Sequence, residues 1–276
     1  MGNRRRIDRA ERARRIRTIA RRLGLLVLRL CLLAGLAGGV GWGADAGWRW
    51  LTTTPHLAIE TIEIEGNERA SDEEVLRLSG LARGDNLLRA NLVVARARLL
   101  GHPWIREVAI ERRFPQGIGI AVVERRPAAL VDLEHLYLLD DRGEVFKRAM
   151  PGDPVDLPVI TGLPRETWAA RREEAQQRLD EALHALAAWR TRDRARRLPV
   201  AEVHLDEGEG VTLYLGDRGP AVKLGHGDFE RKLDRLARVL AEAERRGQRI
   251  ELVRLDNRAR PGWIAARLAD GGGSEG

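Results

Sequence analysis

Apolar positions fall into distinct patterns along the chain. From Leu23 to Ala44 they are nearly continuous, "LGLLVLRLCLLAGLAGGVGWGA", and Arg29 is the one charge among them. As a helix this run rises about 33 Å, against a bilayer core of roughly 30 Å. Ile62 and Ile64 then alternate with polar residues, which predicts a strand over 57–65. Gly66-Asn67 breaks it. Ser71 and Glu74 stand three apart, the spacing of a capping box, ahead of Val75, Leu76 and Leu78, and Gly80 is the expected stop. A second helix is predicted over 88–100, with Leu88, Leu92, Ala95 and Leu99 on one face.

Pro103 ends that helix. Val108, Ile110 and Phe114 alternate, Pro115-Gln116-Gly117 turns the chain, and Ile118, Ile120 and Val122 alternate again, which predicts a β-hairpin. The order β-α-α-β-β implies a small sheet with two helices on one face. Trp104 and Ile110 are expected to be buried between them.

After Ala128 the pattern is one of short strands, "ALVDL", "HLYLLDD" and "EVFKR", with Tyr137, Leu139 and Val145 as expected core. Residues 151–164 read as a Pro/Gly-rich crossover. A helix is predicted over 168–190, with Leu179, Leu183 and Leu186 inward. Strands follow at Val200–Leu205, Val211–Leu215 and Ala221–Leu224. Asp228 is the expected cap of a helix whose inner face is Phe229, Leu233, Leu236, Leu240 and Ala243, ended by Gly247. A strand at Ile250–Leu255, a turn and a last strand at Trp263–Leu268 complete the domain. The tail "GGGSEG" reads as disordered. The fold class is α+β: one N-terminal transmembrane helix, a small β-α-α-β-β domain, and a mixed β-rich domain with two amphipathic helices.

Charge changes the picture at one end only. The 276 residues carry a net +7, but residues 1–29 hold 11 arginines against Asp8 and Glu11, a net +9. The remainder has 37 basic and 39 acidic residues, a net −2. A nearly neutral body argues against a nucleic-acid partner, and a one-ended basic run reads as a topology signal. Arg21 and Arg22 flank the apolar run, and Arg29 lies close enough to that end to snorkel. Trp42, Trp48 and Trp50 cluster at the other end, where aromatic rings suit the interface. This places the N-terminus in the cytoplasm and everything after Asp45 outside. A buried core helix is a weaker reading of the same run. So is a signal peptide cleaved near Ala44-Asp45-Ala46.

Candidate chemistry is sparse. Cys31, the single cysteine, falls inside the apolar run, so no internal disulfide is possible. The six histidines show no pair at metal-ligand spacing. Neither a G-x-S-x-G nor a P-loop occurs. His226-Gly227-Asp228 reads as a turn before a helix, and Asp132, Glu134 and His135 point to alternate strand faces. No cofactor and no catalytic activity are expected.

Two stretches carry a family resemblance. The opening "IEIEGNERAS" and the hairpin "HPWIREVAIERRFPQGIGIAVVERRPAAL", just past a membrane helix, resemble a POTRA domain of the FtsQ/DivIB type. The helix motif Phe229-x-x-Lys232-Leu233-x-x-Leu236 and the strand ending Leu255-Asp256-x-Arg258 resemble the C-terminal β domain of the same family. The implied organisation is a cytoplasmic basic tail 1–22, a transmembrane helix 23–44, a juxtamembrane linker 45–56, a POTRA domain 57–127, a β domain 128–268 and a tail 269–276.

The resemblance implies a non-catalytic scaffold of the bacterial divisome. FtsB- and FtsL-like partners would bind the β domain and other division proteins the POTRA domain, at the septum, on the periplasmic side of the inner membrane. It places the partner site at the C-terminal edge: Arg258, Gly262, Trp263, Ile264, Ala265 and Ala266. Trp263 reads equally as core. Ala259 and Pro261 depart from the family pattern. A POTRA-bearing component of an outer-membrane assembly or secretion system is the alternative.

Overall fold

The computed structural model describes residues 4–216, 219–257, 260 and 262–269, with side chains described from Leu23 onward apart from the gaps in that range. Helix α1 (Arg4–Thr53) is continuous. The stretch expected as a linker after Ala44 is helical for two further turns, because nothing in 45–53 breaks a helix strongly. Asp45 and Arg49 pair at 2.7 Å across one turn, and the Thr53 hydroxyl donates to the Arg49 carbonyl at 2.8 Å. Pro55 then ends the helix in a short 3-10 turn. Leu23–Thr53 is long and apolar enough to cross a membrane and has no buried residues in its most apolar window, so it is not a core helix.

By internal contacts the chain forms two compact units. The first comprises 1–65, 71–99 and 108–121; the second comprises 66–70, 100–107 and 122–276. In the first, β1 (Thr61–Glu65) runs parallel to β3 (Gly117–Glu124), and β2 (Ile105–Arg113) completes a sheet ordered β1-β3-β2. The strand is shorter than the predicted 57–65, because residues 55–57 turn and Ala58 makes only a bridge to Asn86. Helix α2 (Asp72–Ser79) starts at Ser71, whose hydroxyl accepts the Glu74 amide at 3.2 Å, and ends at Gly80 with φ +67°. Helix α3 (Leu92–Leu99) begins four residues later than predicted. Asn86 and Asn91 explain the delay. Asn86 Oδ1 accepts the Leu88 amide in a tight turn, and Asn91 Oδ1 accepts the Val94 amide as the true cap. Val75, Leu87, Ala95, Leu99, Ile118 and Ile120 are buried.

The second unit is built on one nine-stranded sheet, ordered β12-β11-β10-β9-β8-β7-β4-β5-β6. β4 (Pro127–Asp132), β5 (Leu136–Asp140) and β6 (Val145–Arg148) form the predicted meander. The crossover 151–164 conceals a strand, β7 (Val159–Thr161), parallel to both β4 and β8. Three residues between Pro158 and Gly162 give too little periodicity to read. The predicted helix 168–190 is two, α4 (Arg165–Ala170) and α5 (Arg172–Arg190), broken where Arg171 adopts φ −129°.

β8 (Val200–Asp206), β9 (Gly210–Leu215) and β10 (Ala221–Gly225) lead to α6 (Phe229–Arg245), β11 (Ile250–Arg254) and β12 (Ala265–Leu268). β7-α5-β8 and β10-α6-β11 are parallel pairs, each joined by the helical crossover usual for parallel strands. The helices bury Leu179, Leu186, Trp189, Phe229, Leu233 and Leu236 in one core with the sheet. Leu139 is fully buried; Tyr137 and Val145 pack on this core half-buried.

Two expectations fail locally. Trp104 is buried, but it packs with Leu130 and Leu138 and meets Phe146 edge-on at 5.3 Å, all within the second unit. Ile110 is only half-buried. Asp228 offers no side-chain cap; it lies at φ +51°, and Glu181 of α5 accepts the neighbouring Gly227 amide at 3.3 Å.

Candidate partner-binding edge

The C-terminal edge begins at Leu255, 2 % exposed, where β11 ends. Next to it Asp256 sits so close to Gly225 that a Cβ there would strike its carboxylate, and Gly225 itself has φ +69°. Lys232 of α6 reaches this corner from the core side. Its Nζ donates to the Leu224 carbonyl at 2.7 Å and the His226 carbonyl at 2.8 Å, and lies 3.9 Å from Asp256. Burial pushes the Lys232 ammonium below its ordinary value, and the charges of Asp256 and Asp228 oppose that shift. The motif residues Phe229, Lys232, Leu233, Leu236 and Leu255 thus fix the end of β11 against α6. At the far end of α6, the Gly247 amide bonds Glu244 and the Gln248 amide bonds Ala243, a Schellman closure.

The turn to β12 is partly outside the described residues: Arg258, Ala259 and Pro261 lie there. Asn257 Oδ1 accepts the Arg260 amide at 3.0 Å, and Gly262 has φ +101°. Trp263 is 61 % exposed, with the Arg260 guanidinium 4.7 Å from its ring centroid. The core reading of Trp263 is therefore overturned. The last strand starts at Ala265, not Trp263; Ile264 precedes it and packs half-buried on the core.

β12 pairs antiparallel with β11 and ends the sheet, and all four of its residues are exposed. Arg267 makes a two-point ion pair with Glu251, at 3.0 and 3.1 Å. The Ala269 amide donates back to Arg249 at 2.8 Å. Strand alternation then turns the backbone groups of Ala265 and Arg267 toward β11, and those of Ala266 and Leu268 outward. Such a row of outward groups can accept a further strand.

At the other end of the chain, α1 carries Arg29 in its first apolar turns, and Trp42, Trp48 and Trp50 are exposed along it. The side chains of Arg21 and Arg22 lie outside the described residues. His226, considered above as part of a turn, pairs with Glu181 at 3.1 Å. No cluster of three or more metal-ligating side chains occurs among the described residues.

Residues 57–125 match the family model for the POTRA domain, FtsQ-type, and residues 129–258 that for Cell division protein FtsQ/DivIB, C-terminal. A cell division protein FtsQ from Anaeromyxobacter sp. (strain K) is 45% identical over 267 residues, spanning 97% of this chain and 89% of that protein. The chain belongs to the FtsQ family of cell division proteins. An FtsQ from Myxococcus fulvus is 39% identical over 97% of this chain and 93% of its own length. One from Geobacter sp. (strain M21) is 35% identical over 81% of each. FtsQ membership supports a role in the division machinery, and the apolar helix α1 fits a single-pass membrane protein. It also displaces the secretion or outer-membrane assembly alternative.

Three sets of contacts at this edge were missed by sequence reasoning. Lys232 was noted as a motif residue, but its burial had no pattern signal. The Arg267–Glu251 pair joins strands whose register was not readable. The Arg260–Trp263 stack was within reach, since the two lie three apart across a Pro-Gly turn.

Proposed function

We propose that this FtsQ-family protein is a non-catalytic bitopic scaffold of the divisome. Its N-terminus is cytoplasmic, and its domains, 57–127 and 128–268, are periplasmic. It acts at the septum, where it joins early and late division proteins and licenses peptidoglycan synthesis. The β domain takes FtsB- and FtsL-like partners along β12, around Arg258, Gly262, Trp263, Ile264, Ala265 and Ala266; the POTRA domain takes other divisome proteins.

The observation that carries the reading is the bare last strand. β12 has outward backbone groups and an exposed tryptophan beside it. Backbone pairing would provide affinity, and Trp263 with Arg258 would set the partner's side chains.

The test uses the full chain in nanodiscs and a purified FtsB-like partner. Arg258→Glu should weaken binding with folding unchanged by circular dichroism, and depletion in cells should give filaments. Unaltered binding by Arg258→Glu together with Ala266→Pro would place the site elsewhere. Depletion that removes outer-membrane barrels without filamentation would refute the divisome role. A C-terminal reporter active only in the cytoplasm would refute the orientation.

A further inference from the structure

A concavity of about 850 Å³ opens where α1 ends. One wall is the last turn of that helix with Thr54 and Pro55; the other includes Gly80, Asn86, Arg89 and Arg98. The walls are tied together. The Asn86 side-chain amide donates to the Leu51 carbonyl at 3.0 Å, and the Leu87 amide donates to Leu57 at 2.7 Å. The concavity therefore has a fixed place relative to the end of the apolar helix.

With α1 across a bilayer and Trp48 and Trp50 at its outer interface, that place falls at the level of the lipid headgroups. Trp48 and Trp50 are exposed on α1, and Thr53 lies about 5 Å further along the axis. The lining carries two arginines and one carboxylate, Asp85, which is engaged by the Ala82 amide at 3.0 Å. From Leu81 to Leu99 the chain holds Arg83, Arg89, Arg96 and Arg98 against Asp85 alone. The acidic first turn of α2, Asp72 to Glu74, is at the helix end away from Gly80, about 12 Å off. One terminal nitrogen of Arg98 lies beside Gly80, in space that a Cβ would occupy. Val93 is 80 % exposed and Val94, on the lining, 41 %. Apolar side chains beside arginines suit an interface, where each finds its own medium.

We infer that this concavity binds the phosphate of a phospholipid headgroup through Arg89 and Arg98, and so seats the first unit on the outer membrane–water boundary of its bilayer. The inference rests on α1 spanning the bilayer. The chain has one cysteine, so Cys31→Ser with Val93→Cys admits a single spin label. Full-length protein in phosphatidylglycerol-containing nanodiscs is probed by the relative access of oxygen and a water-soluble nickel chelate.

The Val93 label should read as interfacial, and a label at Glu73 as aqueous. An arginine near an anionic surface contributes about 1 kcal/mol, so Arg89→Ala should lower the seated-to-free ratio about fivefold. Arg89→Glu with Arg98→Glu should make the label aqueous, and Arg89→Ala alone decides the matter if that pair perturbs folding. An aqueous Val93 label in the parent, or an unchanged ratio in Arg89→Ala, overturns the site. A Val93 label equally interfacial in nanodiscs of a phosphate-free glycolipid overturns the lipid phosphate as its occupant, whereas loss of the interfacial signal there supports it. A label at Leu33 separates the two readings: if it is outside the bilayer, the anchor itself fails.

Discussion

The nine-stranded sheet ends in β6 on one side and β12 on the other, and the two edges are built differently. On β6, Val145, Phe146 and Lys147 are half-buried. The Phe146 ring meets Trp104 and lies 5.6 Å from the Arg125 guanidinium, while Lys147 pairs with Asp153 in the following loop. On β12 every residue is exposed, and the one ion pair among the described residues, Arg267 to Glu251, lies against its neighbour β11. An edge laced to its own loop by charge and aromatic contacts is shielded from foreign strands; a short, bare edge is open to them.

The largest effect expected at either edge comes from the anchor of the open one. Leu255→Ala removes a buried side chain where β11 ends, and should cost about 2–5 kcal/mol in chemical denaturation. A midpoint equal to the parent's would show that Leu255 does not hold the edge. Next comes a matched pair of prolines. Ala266→Pro and Arg148→Pro each remove an outward amide, one from each edge, by the alternation that Ala269 and Ala149 set. Calorimetric titration of an FtsB-like partner should lose about tenfold, or ~1.4 kcal/mol, for Ala266→Pro only. Equal losses would erase the distinction between the edges.

Arg267→Ala tests whether the ion pair stiffens β12. Exposed pairs contribute about 0–1 kcal/mol, so stability should barely change. A fall beyond that range in urea unfolding would make the pair structural.

The smallest effect is on the closed edge, and it depends on pH. Burial pushes the Asp153 carboxyl up, but the Lys147 hydrogen bond, the Met150 amide and the Lys147 charge together hold it below its ordinary 3.8. Its contribution to stability is therefore complete above 3.8 and is lost as pH falls through the lower folded value. Asp153→Asn should lower the urea midpoint at neutral pH and flatten the acid limb; parallel acid limbs would remove Asp153 from the account.

The sequence carried the long patterns well. α1, α2 and α6, the hairpin of β2 and β3, and most strands of the large sheet follow from periodicity and from caps such as Ser71 and Gly247. What it could not show depended on distant partners. β7 is three residues held by β4 and β8 on either side, and Trp104 found its neighbours at Leu130 and Leu138. The start of α3 was misplaced because Asn86 and Asn91 both form local turns, and periodicity does not choose between them. For the candidate site, the last strand and its terminal position were legible, and its starting residue was not. Trp263 looked equally like core and surface, because one aromatic beside a Pro-Gly turn has no period to assign its face.

Lys232 sets an order in time. Two of its oxygen neighbours, on Leu224 and His226, precede it in the chain, but Asp256 follows it by 24 residues. A ribosome adds those residues in about 1–5 seconds. Until they arrive, Asp228 and Glu181 offset the burial of the ammonium without the largest opposing charge, that of Asp256, and β10 has no β11 beside it. The open edge is thus among the last parts of the domain to come into being, and a nascent chain cannot display it before the corner beneath is closed.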